Sequence, residues 1–571
     1  MDRVRVRAVA LTAAAALFAA ACGTTGGGGV TEELAPDQTF SFALQNDVSH
    51  LDPAQVDAAV DITFLQNVFN GLVKYNEKLT VVPDAAKSLP DVSSDGLTYT
   101  FHLRNEVKFS NGDAVKAKDW IYTFTRTLRL NQAYASNLEA IKGAADLEAG
   151  KAKTLAGISA PDDFTLKVQL EEPAGYWLSQ LAMPTAALVL NQKVLESTGD
   201  PDSEKWTQSP STYIGTGPFK MTMRVPNQVM EFEPVANWWG GSTGALKKIH
   251  VDIGVDDVSQ VKKFESGGYQ LVGMANQNVN PDDVLRYRSD PTKSKLLTNF
   301  AGARTTGVGF NFVNGPFADK PGATPGDPTT TSGTATPGKS GRIAFSQSID
   351  RAQLADVACA KTVTCIPATG GVITKGFKAY LGENKDPYSK FDANVAKSEL
   401  QKAGGADKFK GLEYRYNTST GNTKIAQNLQ SQWKANLGID VGLTPSDFPT
   451  LQRDRKAKRV LIGRQSWSID YDNPQDWFDN LFSCAQAKVG RGNDEAYCNP
   501  ALDALTKKAN TQDISKALPD YTKANETLAN DLVWATIIYG QAPFLAQPYI
   551  KGWGYNSLYD YPWSGIKIVK H

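Results

Sequence analysis

Apolar residues recur along this chain with two different periods, and the switches between them mark out its elements. Phe40, Phe42 and Leu44 alternate with Thr39, Ser41 and Ala43, the period of a strand with one buried face. Leu97, Tyr99, Phe101 and Leu103 repeat that pattern, with Thr98, Thr100, His102 and Arg104 on the opposite face and a turn signal at Asn111-Gly112. Trp120, Phe124 and Leu128 then stand four apart, so the period becomes helical. Phe164, Leu166, Val168 and Leu170 predict a further strand, stopped by Pro173. Later, Ile425, Leu429, Trp433 and Leu437 predict a helix closed by Gly438, followed by a strand over Ile439 to Leu443. Strands and helices alternate throughout, which argues for an α/β or α+β body. No period of 20 to 50 residues repeats, which argues against solenoids and propellers.

Two segments stand outside this periodicity. Arg3, Arg5 and Arg7 precede the apolar run Val9 to Ala21, which is too short to span a bilayer and is expected to be a signal peptide over 1–21. Ala19, Ala20 and Ala21 directly before Cys22 resemble the lipobox of bacterial lipoproteins, although that motif usually has Leu, Val or Ile where this chain has Ala19. The resemblance implies a lipid on Cys22 and anchoring to the cell membrane, with the glycine-rich stretch in 22–34 as a flexible tether. Between Asp319 and Lys339 nearly every residue is Pro, Gly, Thr, Ala or Ser, so 319–339 is expected to be a disordered surface loop. Arg342 to Leu354 resumes a helix.

The chain has 571 residues, of which 41% are hydrophobic and 21% charged, as in an ordinary globular protein of two or three domains. Sixty basic residues balance sixty acidic ones, so charge gives no reason to expect nucleic acid as a partner. Five cysteines leave four after Cys22, and spacing favours the local pairs Cys359-Cys365 and Cys484-Cys498. Two other connectivities, or free buried thiols, are the alternatives. The four histidines, His50, His102, His250 and His571, lack metal-ligand spacing, and no CxxC sequence is present. No cofactor and no metal are therefore expected, and a binding protein is favoured over an enzyme.

Several longer strings carry a resemblance. Ser49-His50-Leu51-Asp52-Pro53, Asn67 to Leu72, Leu97 to Gly112 and Asp119-Trp120-Ile121-Tyr122 are similar to the start of the family 5 extracellular solute-binding proteins of ABC importers. Gly215-Thr216-Gly217-Pro218-Phe219, Asn237 to Gly241, Asn311 to Phe317 and Arg342 to Arg351 follow in that family's order. Tyr416 to Thr420 and Ile568 to His571 resemble its oligopeptide-binding branch.

The resemblance implies a two-lobed periplasmic-binding-protein-like α/β fold of type II, with a hinge and an additional N-terminal subdomain. Lobe 1 would comprise 35–76, 206–300 and 541–571, the subdomain 77–205, and lobe 2 301–540. It also implies a monomer that closes on an oligopeptide ligand outside the cytoplasm and delivers it to ABC permease subunits. Asp470 matches the acid that pairs with a peptide's α-ammonium group, and the backbone around Ser466, Trp467 and Ser468 would run beside the peptide as a neighbouring strand. Arg464 and Arg455 match basic positions that meet the peptide carboxylate or side chains, and Tyr134 matches an aromatic across the cleft. Asp472 is expected to be structural. The same fold could hold an oligosaccharide, an opine-like solute or a metal chelate, and a secreted hydrolase is the remaining alternative class.

Overall fold

Thr39–Leu44 is a strand, and it pairs in parallel with Lys248–Ile253, far along the sequence. Val229–Pro234 and Phe219–Val225 extend that sheet in antiparallel fashion. The alternating Phe40, Phe42 and Leu44 turn inward onto Phe64, Phe232 and Trp563, so one core gathers the beginning, the middle and the end of the described chain. The computed structural model describes residues 33–571 apart from 276, 278, 331–334 and 490–491. The expected signal peptide, Cys22 and nearly all of the tether lie outside the described residues.

A second, antiparallel sheet joins Asp91–Val92, Thr98–His102, Thr165–Gln169 and Ile158–Asp162. Its inward Tyr99 and Phe101 share a core with Trp120, Phe124 and Leu128 of the helix Ala117–Leu130, and those three are fully buried. Each such side chain contributes roughly 1.5–3 kcal/mol at most. The helix stops at Asn131, whose φ of 49° is left-handed.

Two long strands, Leu297–Phe310 and Trp534–Ala546, form the centre of a third, seven-stranded sheet. At one end Leu297 and Leu545 pack with Val261 and Phe264 of the first body. At the other end Val308, Ala535 and Ile537 pack against Leu429 and Trp433 of the helix Thr420–Leu437. These strands therefore run from one core into another, and their mutual register slips between Ala301 and Thr305. The result is a two-lobed α/β fold of type II, hinged on the paired strands, with the second sheet as an additional subdomain. Cys359 is joined to Cys365 and Cys484 to Cys498.

Two element boundaries differ from the periodicity. The strand expected over Ile439 to Leu443 is Gly442–Ser446, because parallel pairing begins only where Gly442 meets Glu413. Ile439 and Val441 are buried core residues outside that strand. The helix expected from Arg342 begins at Pro337, with the Thr336 side chain accepting from the Lys339 N–H, so 337–339 leave the segment expected to be a disordered loop. At that segment's other end the Asp319 side chain is only 6% exposed, since Arg342, wholly buried, requires a carboxylate partner and binds it at 3.0 Å. A composition rule cannot see that pairing.

The strings that carried the resemblance are mostly architectural. Asp52 takes both terminal nitrogens of the buried Arg126, at 3.0 and 2.5 Å. Gly215 and Gly217 press against the Asn67-Val68 backbone so closely that an added Cβ would lie 1.9 and 2.5 Å from a carbonyl oxygen. Both Trp238 and Trp239 donate their indole N–H to the Thr216 carbonyl at 2.8 Å.

Candidate functional site

The strand Ile462–Ser468 lies antiparallel to Leu297–Phe310, with Arg304 opposite Ser468 and Thr306 opposite Ser466. Opposed residues share a face and neighbours along a strand alternate. One face therefore carries Arg304, Thr306, Arg464, Ser466 and Ser468, while Gln465 and Trp467 point the other way. Arg304, Thr306, Arg464 and Ser468 line a cleft of about 550 Å³, together with Asp470 and, from the facing lobe, Tyr134 and Tyr559.

This strand is paired on both sides only at its start. Glu413–Asn417 reaches Ile462 and Gly463, and beyond them no described strand lies on that side. Arg455 caps the carbonyl of Arg464 there. The stretch Gln465 to Ser468 is thus a free strand edge at the cleft, the geometry on which an extended chain can add a strand.

The charges in the cleft are separated and unneutralised. Among the described residues the Asp470 carboxylate has neither a hydrogen-bond donor nor a cation partner, and burial pushes its pKa up to about 6. Its backbone is held firmly: the N–H donates to Asp476 at 3.2 Å, and the carbonyl accepts the Tyr559 hydroxyl at 2.9 Å. Arg464 donates to Asn417 at 3.1 Å, has an unpartnered Nε, and lies near no described carboxylate. Burial and the neighbouring Arg304 and Arg455 guanidinium groups bring its pKa down to about 10. Arg304 donates through Nε to Ser468 at 2.9 Å, and desolvation among the cleft walls lowers its pKa too. Two like charges held close without a counter-ion favour an anion between them, and the lone carboxylate favours a cation.

Arg304 had no distinguishing signal in the sequence, because its place depends on a strand pairing with Ser468, 164 residues away. Asp476 was also missed. It is 1% exposed, receives the Trp467 indole N–H at 2.8 Å, and has its pKa raised well above the usual value by burial and by Asp470.

One expectation is narrowed and another needs correction. Of Trp467 only the backbone stands at the cleft edge, because strand alternation turns its ring onto the core that contains Ile469 and Trp477. Arg455 lies away from the cleft, 5% exposed, donating to Gln452 at 2.9 Å and lying 3.8 Å from Asp494. Ser466 shares the cleft face without lining the cavity. Asp472, expected to be structural, pairs with the Lys378 ammonium and accepts the Lys378 N–H at 3.2 Å. Groups of three or more metal-ligating side chains that could hold an ion are absent among the described residues.

Comparison with known proteins agrees with this architecture. Residues 80–488 match the model of the bacterial extracellular solute-binding proteins, family 5 Middle. The periplasmic murein peptide-binding protein MppA of Escherichia coli K12 is 27% identical over 557 residues, 94% of each chain. The oligopeptide-binding protein OppA of Bacillus subtilis 168 is 28% identical, again over 94% of each chain. The unliganded open form of MppA superposes with a TM-score of 0.79 at 25% identity, covering 95% of this chain and 99% of that one. The chain belongs to the family 5 solute-binding proteins, extracellular proteins that serve ABC importers of peptides. No described helix is long and apolar enough to cross a membrane.

Proposed function

We propose that this protein is the lipid-anchored substrate-binding subunit of an ABC importer, which captures oligopeptides outside the cytoplasm by closing two lobes and releases them chemically unaltered. The observation that carries the reading is the unpaired Asp470 carboxylate in a cleft whose other charged lining groups, among the described residues, are Arg464 and Arg304, neither of them paired with a carboxylate. A zwitterionic peptide matches that pattern, with its ammonium group on Asp470 and its carboxylate toward the arginines. At about 3.3 Å per strand residue, Arg464 and Ser468 are roughly 13 Å apart at Cα, which suits a peptide of a few residues. Main-chain hydrogen bonds to the edge Gln465 to Ser468 would serve every sequence alike, and Tyr134 would close over the peptide from the facing lobe.

Lobe 1 is assigned to 35–76, 206–300 and 541–571, the subdomain to 77–205 and lobe 2 to 301–540, with closure about the two long strands. The protein works as a monomer in this reading and is no enzyme. The anchor is a lipid on Cys22.

Two measurements test it. Mass spectrometry of small molecules released from gently purified protein should find intact peptides; recovery of sugars or metal chelates instead would reject the ligand class. Intact-mass analysis should find an acylated Cys22 as the first residue, and an unmodified N-terminus further along would reject the anchor.

A further inference from the structure

Away from the two long strands, the subdomain and lobe 2 touch at a point that the cleft does not explain. Gly175 of the subdomain donates its N–H to the carbonyl of Asn510 in lobe 2 at 2.7 Å. The approach leaves no room for a side chain, since a Cβ on Gly175 would lie 1.8 Å from the Gln512 carbonyl oxygen. Nearby, the Gln180 amide nitrogen donates to the Tyr471 hydroxyl of lobe 2 at 3.2 Å. Cavities adjoin these bonds: one of about 490 Å³ is lined by both Ala174 and Asn510, and another of about 460 Å³ by Tyr176, Gln180 and Tyr471. The two bodies therefore meet here through a few hydrogen bonds between open spaces, a contact that can be made and broken.

A second contact is built on a strained residue. The strands Val73–Tyr75 and Val81–Pro83 pair in antiparallel fashion, and the Asn76 side chain closes their turn by accepting the N–H groups of Lys78 and Thr80 at 2.9 and 3.0 Å. Leu79 in that turn has a φ of 55°, a left-handed conformation that costs a leucine free energy and that glycine or asparagine adopts more readily. Its side chain is only 5% exposed, and it belongs to the core of Phe377, Ala379 and Ile469, most of which is drawn from lobe 2. A leucine at a strained position is accounted for by what its side chain gains there.

We infer that Leu79 and Gly175 are positioning residues for ligand capture: they form a latch, protein against protein, that holds the subdomain to lobe 2 and sets how readily the cleft stays shut. The inference rests on the proposed reading, in which the lobes close on a peptide. Neither residue lines the cleft, so the latch acts on every ligand alike. It fixes the fraction of molecules in the binding-competent form, and apparent affinity scales with that fraction.

Two variants, one at each contact, test this. Leu79→Asn suits the left-handed turn and removes the apolar anchor, while Gly175→Ala forces the Gln512 carbonyl away. Calorimetry on the full chain with three tetrapeptides of unrelated sequence should show all three dissociation constants raised by one common factor, about fivefold or more, with their order unchanged. Either variant alone decides the matter once a cooperative thermal melt shows that it folds. Unchanged affinities, or factors that differ severalfold from peptide to peptide, would overturn the latch and leave the peptide reading standing. Wild-type protein that binds none of the three would overturn both.

Discussion

Asp476 accepts the indole hydrogen of Trp467 at 2.8 Å, on the side of the strand turned away from the cleft. The same oxygen accepts the N–H of Asp470 at 3.2 Å, so one buried side chain fixes both the tryptophan and the acid that faces the ligand. Burial and the nearby Asp470 favour the protonated form of Asp476. Asp476→Asn keeps an acceptor without adding charge and should leave stability nearly unchanged. Asp476→Ala strands two donors and should lower the unfolding free energy by about 1–3 kcal/mol. Urea denaturation of both variants decides this, and equal losses would show that the acceptor does not matter.

The pKa of about 6 at Asp470 makes peptide binding depend on pH. A bound ammonium group favours the carboxylate, so the complex holds fewer protons than the free protein. Affinity should be flat above about pH 6 and fall by as much as tenfold per pH unit below it. Calorimetry in buffers of different ionisation enthalpy should register proton release at pH 5.5; proton uptake would contradict the assignment.

Stability of the ligand-free protein should move the opposite way with pH. Burial holds Asp479 and Asp560 at about 6, against an ordinary 3.8 in the unfolded chain, and raises Asp61 to about 7. Between about pH 4 and 7 the folded protein binds more protons than the unfolded one, so this stabilisation is present at low pH and lost as pH rises. The melting temperature should be higher at pH 5 than at pH 7.5. A rise in the other direction would mean these carboxyls are ionised in the fold.

The two arginines flanking the free strand edge should separate cleanly. Arg464→Met removes a buried cation with no carboxylate partner, so it should weaken binding of free-carboxylate peptides by about tenfold or more without loss of stability. Arg455→Met removes the cap on the Arg464 carbonyl and the partner of Asp494, and should cost about 1–3 kcal/mol of stability while peptide affinity changes little. The reverse pattern would return Arg455 to the ligand.

Period and family resemblance gave very different views of this molecule. Thr39–Leu44 and the core face Trp120, Phe124 and Leu128 were legible because their partners lie on one face at a regular spacing. The strand Gly442–Ser446 was misplaced because Ile439 and Val441 are apolar for packing, and periodicity cannot tell a buried approach from a paired strand. Asp470 was found by resemblance to a motif. Arg304, Gln180 and Asp476 matter only through tertiary pairing, which leaves no local mark. Trp467 and Arg455 were tied to the ligand by resemblance to a motif, and a motif match says nothing about which face of the sheet a side chain takes.

The central claim is that Asp470 grips a peptide's positive end. Calorimetry of wild-type protein and Asp470→Asn against a free-amine peptide and its N-acetylated form tests it most directly. The account predicts that substitution and acetylation each weaken binding by about 2–5 kcal/mol, and that together they cost little more than either alone. Undiminished affinity of the variant for the free-amine peptide, or of the wild-type protein for the acetylated one, would contradict it.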